Sequence, residues 1–162
     1  MFKYVLTVKY GKEKRAELEV GDSVFPYDIN VRISRTRFKG VLVLETTLGF
    51  NELISVLSTY PPSVLERVVP VDKCFKINSN LVSELLNYVR TKEFSKIRFG
   101  RYGSLGHELV KEINALLNNL RSINSNKVLH IEPINDEVCV GVIDEGRDKF
   151  YIIRNRKIPK TK

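Results

Sequence analysis

Three glycines, Gly100, Gly103 and Gly106, punctuate "KIRFGRYGSLGHELVKEINALLNNL", between a basic alternating stretch and a helical one. Glycines at the mouth of a helix can cradle a phosphate. The first-turn N–H groups have no partner inside the helix, and the helix dipole is positive there. The spacing G-x-x-G-x-x-G departs from the dinucleotide fingerprint G-x-G-x-x-G, and no Gly-Lys-Ser/Thr ending marks a P-loop. "GRYG" has the G-x-x-G of a KH loop but joins a strand to a helix, where KH joins two helices. The remaining chemistry is contact with one or two phosphates, without base readout. Its candidates are Lys96 and Arg98 on the outward positions of the strand, Arg101 in the turn, Ser104 as helix cap and Lys111 along the helix.

Two further stretches carry similar chemistry. The end of the chain, "EGRDKFYIIRNRKIPKTK", interleaves Lys149, Arg154, Arg156 and Lys157 with Phe150 and Tyr151. Basic side chains hold phosphates and aromatic ones stack on bases. Phe150 is expected to be buried within a strand there. "RISRTRFKG" places Arg35, Arg37 and Lys39 in one hairpin turn, as phosphate contacts or as a solvated turn. His107 falls in the first turn of the glycine-led helix, where no nucleophile or orienting acid accompanies it, so a surface polar contact is expected. His130 lies mid-strand between Leu129 and Ile131 and reads as structural. Cys74 and Cys139 lack CxxC spacing, and no four-ligand zinc site can be assembled from recognised spacings. Both are expected as small buried thiols. No catalytic constellation, cofactor loop or metal cluster is readable.

The elements that must position these groups follow from periodicity. The chain has 162 residues and 43% apolar ones, enough for one large or two small domains. No apolar run approaches the roughly 18–20 residues of a membrane span, and no signal-peptide pattern opens the chain. The expectation is a soluble cytoplasmic protein with no membrane partner. "FKYVLTVK" reads as a strand, and "GKEKRAELEV" as a short helix ended by Gly21-Asp22. "INVRISR" alternates as a half-buried strand, and "KGVLVLET" is its hairpin partner. "GFNELISVLSTY" is a helix stopped by Pro61-Pro62, and "VLERVVPV" a last strand. This βαββαβ order over residues 1–72 is a ferredoxin-like sandwich. Residues 73–162 read as αβαβββ: helices in "NSNLVSELLNYVR" and "SLGHELVKEINALLNNLRSI", then strands "SKIRFG" (between the helices), "KVLHIEP", "EVCVGVID" and "KFYIIRN". The fold class is α+β.

Net charge is +8. Residues 1–72 hold 10 Lys and Arg against 9 Asp and Glu, and residues 73–162 hold 17 against 10. Such asymmetry favours a polyanion partner on the second half. A solvated basic surface is the plainer alternative.

The helix leading into "KIRFGRYGSLGHELVKEINALL", followed by "KVLHIEPINDEVCVGVI", resembles the THUMP domain, an RNA-binding module of tRNA-modifying proteins. "RFKGVLVLET" and "YPPSVLERVVPVDK" are similar to the N-terminal region of archaeal and eukaryotic THUMP proteins that assist tRNA N4-acetylcytidine formation. The resemblance covers nearly the whole chain. In 4-thiouridine synthetases, some methyltransferases and some pseudouridine synthases the module precedes a catalytic domain; in the acetylation adaptors it stands without one. Because no residues follow Lys162, the resemblance implies an adaptor and not an enzyme. It would need no cofactor or metal and would present tRNA to a separate acetyltransferase. The alternatives are a ferredoxin-like small-molecule or protein-interaction module with incidental charge, and a subunit of another tRNA-modifying enzyme for thiolation or methylation.

Overall fold

The computed structural model describes residues 1–100 and 105–157, the side chains of Arg156 and Lys157 excepted. In chain order the elements are β1 (Phe2–Val8), α1 (Glu13–Val24), β2 (Arg32–Arg35), β3 (Val41–Thr46), α2 (Phe50–Thr59), β4 (Leu65–Val71), β5 (Lys73–Lys76), α3 (Leu81–Val89), β6 (Lys96–Phe99), α4 (Gly106–Asn118), β7 (Lys127–Ile134), β8 (Glu137–Asp144) and α5 (Phe150–Lys157). They form two compact units: Met1–Pro70 with the chain from Arg147 onward, and Val71–Gly146.

The first unit is the expected βαββαβ sandwich. Its sheet has the order β2-β3-β1-β4, and β1 pairs antiparallel with β3 from Phe2↔Thr46 to Thr7↔Val41. Alternate residues Tyr4, Leu6 and Val8 meet Leu42 and Leu44 in the core under Leu53 and Leu57 of α2. Ala16, Val20 and Val24, spaced i, i+4, i+8, give α1 a buried stripe. That stripe explains why α1 runs past Gly21-Asp22, the expected stop: Val24 is fully buried by continuing. The α1–β2 loop is tied down by Asp28. Its carboxylate accepts from Thr46 Oγ1 at 2.7 Å, the Thr47 N–H at 2.9 Å and the Asn30 N–H at 3.0 Å.

The second unit has its own sheet, order β5-β8-β7-β6, with α3 and α4 against one face. β7 and β8 form a hairpin turned by Asn135, whose positive φ of 51° suits an asparagine. β6 lies parallel to β7, so α4 is the crossover between them. Phe75, Leu85, Val89, Ile113, Leu117, Leu129 and Ile131 fill the core.

Three expectations are corrected. "KFYIIRN" is not a strand of the second unit: it opens α5, which belongs to the first. Phe150 is buried as expected, but in the first core, with Ile153 one turn later packed beside it. A short apolar run fits strand and helix periods alike, and tertiary contact chooses. Residues 73–162 therefore do not form one domain. The second unit instead gains β5, four residues too short to show a period, so its order is βαβαββ. Finally, Cys74 and Cys139 are not thiols. They face each other in register across β5 and β8 and form a disulfide. It closes a loop of 65 residues' separation, which limits the unfolded chain by about 4 kcal/mol.

Phe150→Ala should cost about 3–5 kcal/mol of stability, read from denaturant melts. A loss below about 1 kcal/mol would place α5 outside the core. A second expectation concerns acid. Hydrogen bonds from the Thr46 hydroxyl and the Thr47 N–H hold Asp28 below the ordinary carboxyl value. Its stabilising contribution is therefore complete above ~3.9, the unfolded value, and is lost as pH falls through the lower folded value. Asp28→Asn should lower stability at neutral pH and flatten the acid limb of the stability profile below about pH 4.

Candidate nucleic-acid interface

On β6, Ile97 and Phe99 pack toward the core of their unit while Lys96 and Arg98 take the other face, as the alternation predicts. That face is not open at Arg98. The residue is half-buried, with Nη1 shut off from solvent. It pairs in register with His130, which is 1% exposed, and Glu132, two residues on and 9% exposed, shares the face. The Gly100 N–H donates to the Ile131 carbonyl at 2.8 Å. A Cβ at Gly100 would overlap the carboxyl end of the Glu132 side chain, which would have to swing aside to admit it. Lys96 is exposed and ion-paired with Glu145; Lys111 is exposed on α4. Arg101 and Ser104 lie outside the described residues. α4 starts at Gly106 with φ of 76°, and the cap position belongs to Leu105, with no side-chain cap bond. His107 is exposed and His130 buried, as expected.

The basic residues near the end of the chain divide. Arg154 is 9% exposed and serves as a tie: Nη1 donates to the carbonyls of Ser63 at 2.8 Å and Leu65 at 2.6 Å, and Nη2 lies 3.8 Å from Glu66. Its expected role as a phosphate contact gives way to this buried one. Arg147 donates to Asn51 Oδ1 and lies over the Phe50 ring at 5.0 Å. Lys149 is half-buried. Arg156 and Lys157 stand on α5, their side chains outside the description.

The hairpin cations have a more open setting. Arg35 is exposed and donates from Nε to Glu17 at 2.8 Å. Arg37 and Lys39 are exposed. With Tyr10, Glu13, Thr36 and Phe38 they line a cleft of about 730 Å³ between the β1–α1 turn and the β2–β3 hairpin. Tyr10 and Phe38, in "VKYGK" and "RTRFKG", line this cleft but are not among the residues the sequence singled out.

Charge follows the units rather than the halves of the chain. Met1–Pro70 with Arg147–Lys162 holds 17 Lys and Arg against 9 Asp and Glu; Val71–Gly146 holds 10 against 10. The whole surplus of +8 thus belongs to the first unit, whereas the linear split assigned most of it to the second half.

No family model matches the sequence, and no curated protein matches it. Solved structures do. The crystal structure of PH1313 from Pyrococcus horikoshii Ot3 superposes on 88% of this chain and 54% of its own, at 12% identity and a TM-score of 0.55. A predicted N6-adenine-specific DNA methylase from Listeria monocytogenes covers 88% of this chain and 40% of its own, at 17% identity and a TM-score of 0.49. A 4-thiouridine synthetase–RNA complex with bound ATP covers 88% and 41%, at 11% identity and a TM-score of 0.49. The likeness to the Pyrococcus structure is one of fold. This chain spans about half the length of the structures it matches, or less.

Gly100→Ala should destabilise the protein by about 1–3 kcal/mol, since the added methyl meets the Glu132 carboxyl. In a double-mutant cycle with Glu132→Ala the two losses should fail to add by at least about 1 kcal/mol. Additive losses would mean that the glycine serves another purpose.

Proposed function

We propose that this chain binds structured RNA, tRNA foremost, and presents it to a separate modifying enzyme, an N4-acetylcytidine acetyltransferase. The observation that carries the reading is the confinement of the net charge to one unit, 17 cations against 9 anions beside a neutral neighbour. A polyanion is drawn to such a surface by counterion release and held there with little sequence preference. The THUMP resemblance of the sequence supplies the RNA class and the tRNA context, and the α+β fold shared with the Pyrococcus structure accords with it. In this reading the chain performs no chemistry: the separate enzyme supplies the acetyl transfer, and the chain supplies position.

A protein-interaction module has one observation in its favour. Leu18, Phe25, Tyr27, Ile29 and Tyr60 of the first unit are all more than half exposed, and Ser23 donates to the Tyr60 carbonyl at 3.3 Å. An adaptor needs such a surface for its enzyme, so this observation fits both readings.

Titration with total tRNA between 50 and 200 mM salt tests the proposal. The logarithm of the binding constant should fall with the logarithm of salt with a slope of about −3 or steeper, as for several neutralised phosphates. A constant that ignores salt would remove the nucleic-acid reading. Transfer of label to tRNA from acetyl-CoA or S-adenosylmethionine by this chain alone would replace the adaptor with an enzyme.

A further inference from the structure

We propose that two copies of this chain associate through the exposed face of α1, the two helices antiparallel about a two-fold axis at Leu18, with Lys14 of each copy against Asp22 of the other.

The buried stripe of α1, Ala16, Val20 and Val24, leaves an opposite face with a pattern of its own. Lys14, Leu18, Asp22 and Phe25 recur at i, i+4, i+8 and i+11, so they lie along one line of the helix. Phe25 continues the helical path, with φ of −50° and ψ of −41°, and its N–H donates to the Gly21 carbonyl at 2.8 Å. All four are exposed, Leu18 by 59% and Phe25 by 56%. The charged residues on the flanks are engaged within the unit: Arg15 with Glu19, Glu17 with Arg35, and Glu19 with the Ser63 N–H. Among the described residues, no hydrogen bond or ion pair engages the side chain of Lys14 or Asp22.

The pattern is complementary to itself. Leu18 lies midway between a cation and an anion, four residues from each. A half-turn about an axis through Leu18 sets Leu18 on Leu18 and brings each Lys14 ammonium beside the Asp22 carboxylate of the second copy. Two-fold symmetry makes each contact twice, so the face supplies an apolar centre flanked by two ion pairs. The helix dipole points to the same arrangement. It favours anions in the first turn of a helix and cations in the last. Lys14 stands in the first turn of α1 and Asp22 in the last, so each opposes the dipole of its own helix. In the antiparallel pair each approaches the opposite end of the neighbouring helix, where the dipole favours it.

Charge also favours a second copy over RNA at this face. α1 carries Lys14 and Arg15 against Glu13, Glu17, Glu19 and Asp22, an acidic balance in a basic unit. A polyanion drawn to the unit's cations leaves such a face uncovered. The repulsion between two chains of net charge +8 is screened beyond about 8 Å at physiological salt. A 12-residue helix is about 18 Å long, so the contact falls at the small end of specific interfaces and the dimer is weak. The inference stands independently of RNA binding.

Sedimentation velocity of the full-length chain, from about 10 μM to about 1 mM, should show monomer passing into dimer. Leu18→Glu sets two carboxylates on the axis and should weaken the dimer about tenfold or more. Lys14→Asp and Asp22→Lys each turn two attractive pairs repulsive, and each should weaken it about fivefold or more. The two swaps together restore the pairs and should return the affinity to within about threefold of wild type. The substituted positions are exposed, so thermal melts of all four variants should stay close to that of wild type. A chain that stays monomeric at about 1 mM overturns the proposal and leaves the face to a different protein. A dimer indifferent to Leu18→Glu overturns it too, since it uses another surface. So does a combined swap as weak as the single ones, which contradicts the pairing of Lys14 with Asp22.

Discussion

The return of the last helix to the first unit is the contact on which the remaining arrangement depends. Burying a guanidinium is costly unless its N–H groups find acceptors. Arg154 finds two backbone carbonyls, at Ser63 and Leu65, with Glu66 nearby. These are the residues that lead into β4, an edge strand of its sheet. Backbone bonds add to the tie: the Val68 N–H donates to the Asp148 carbonyl at 2.9 Å, and Arg67 lies 3.6 Å from the Asp148 carboxyl. Phe150 then supplies apolar burial behind the polar clasp. Without the clasp, a short basic segment would have little reason to leave the strand that precedes it.

That return also sets the electrostatics. It carries a strongly basic stretch away from its sequence neighbours and adds it to the cations of the sandwich. In the second unit the exposed charges answer one another: Lys96 with Glu145, Lys127 with Asp144, Lys92 with Asp72. Exposed pairs of this kind add little stability, but they cancel field. The first unit has pairs too, such as Arg15 with Glu19 and Lys9 with Glu66, yet cations remain in excess. By net charge, the long-range field that draws a polyanion comes from the first unit.

Long periodic elements were legible from the residues alone. α2 buries Leu53 and Leu57 and half-buries Phe50 and Ile54, as its helical spacing predicts, with Tyr60 left exposed beyond its end. What escaped was set by distant partners. "KFYIIRN" carries too few apolar residues to distinguish a strand from a helix, and the core it enters lies some eighty residues back or more along the chain. The disulfide joins cysteines whose pairing depends on the register of β5 and β8. Neither strand pairing nor register is a local property. Periodicity indicated the α+β arrangement and the resemblance to THUMP proteins agreed with it, but neither could say which unit carries the charge.

The three glycines of "FGRYGSLG" show why a motif needs its surroundings. Gly100 lies against a carboxyl, and a methyl group there would push the end of the Glu132 side chain aside. Gly106 is demanded by backbone, since its φ is left-handed. Both observations hold with no ligand in view. The Glu132 oxygens against Gly100 are acceptors, as phosphate oxygens are, so they compete for the same donors and do not supply any. Arg98 shares its face with buried His130 and Glu132, where part of its hydrogen-bonding capacity lies out of reach of a ligand. The hairpin cleft differs on each point. Its carboxylate already accepts a backbone amide, Arg37, Lys39 and Tyr10 are exposed, and Phe38 is half-buried. Exposed cations beside a hairpin held by backbone bonds are open to solvent in a way that Arg98, half-buried beside His130 and Glu132, is not.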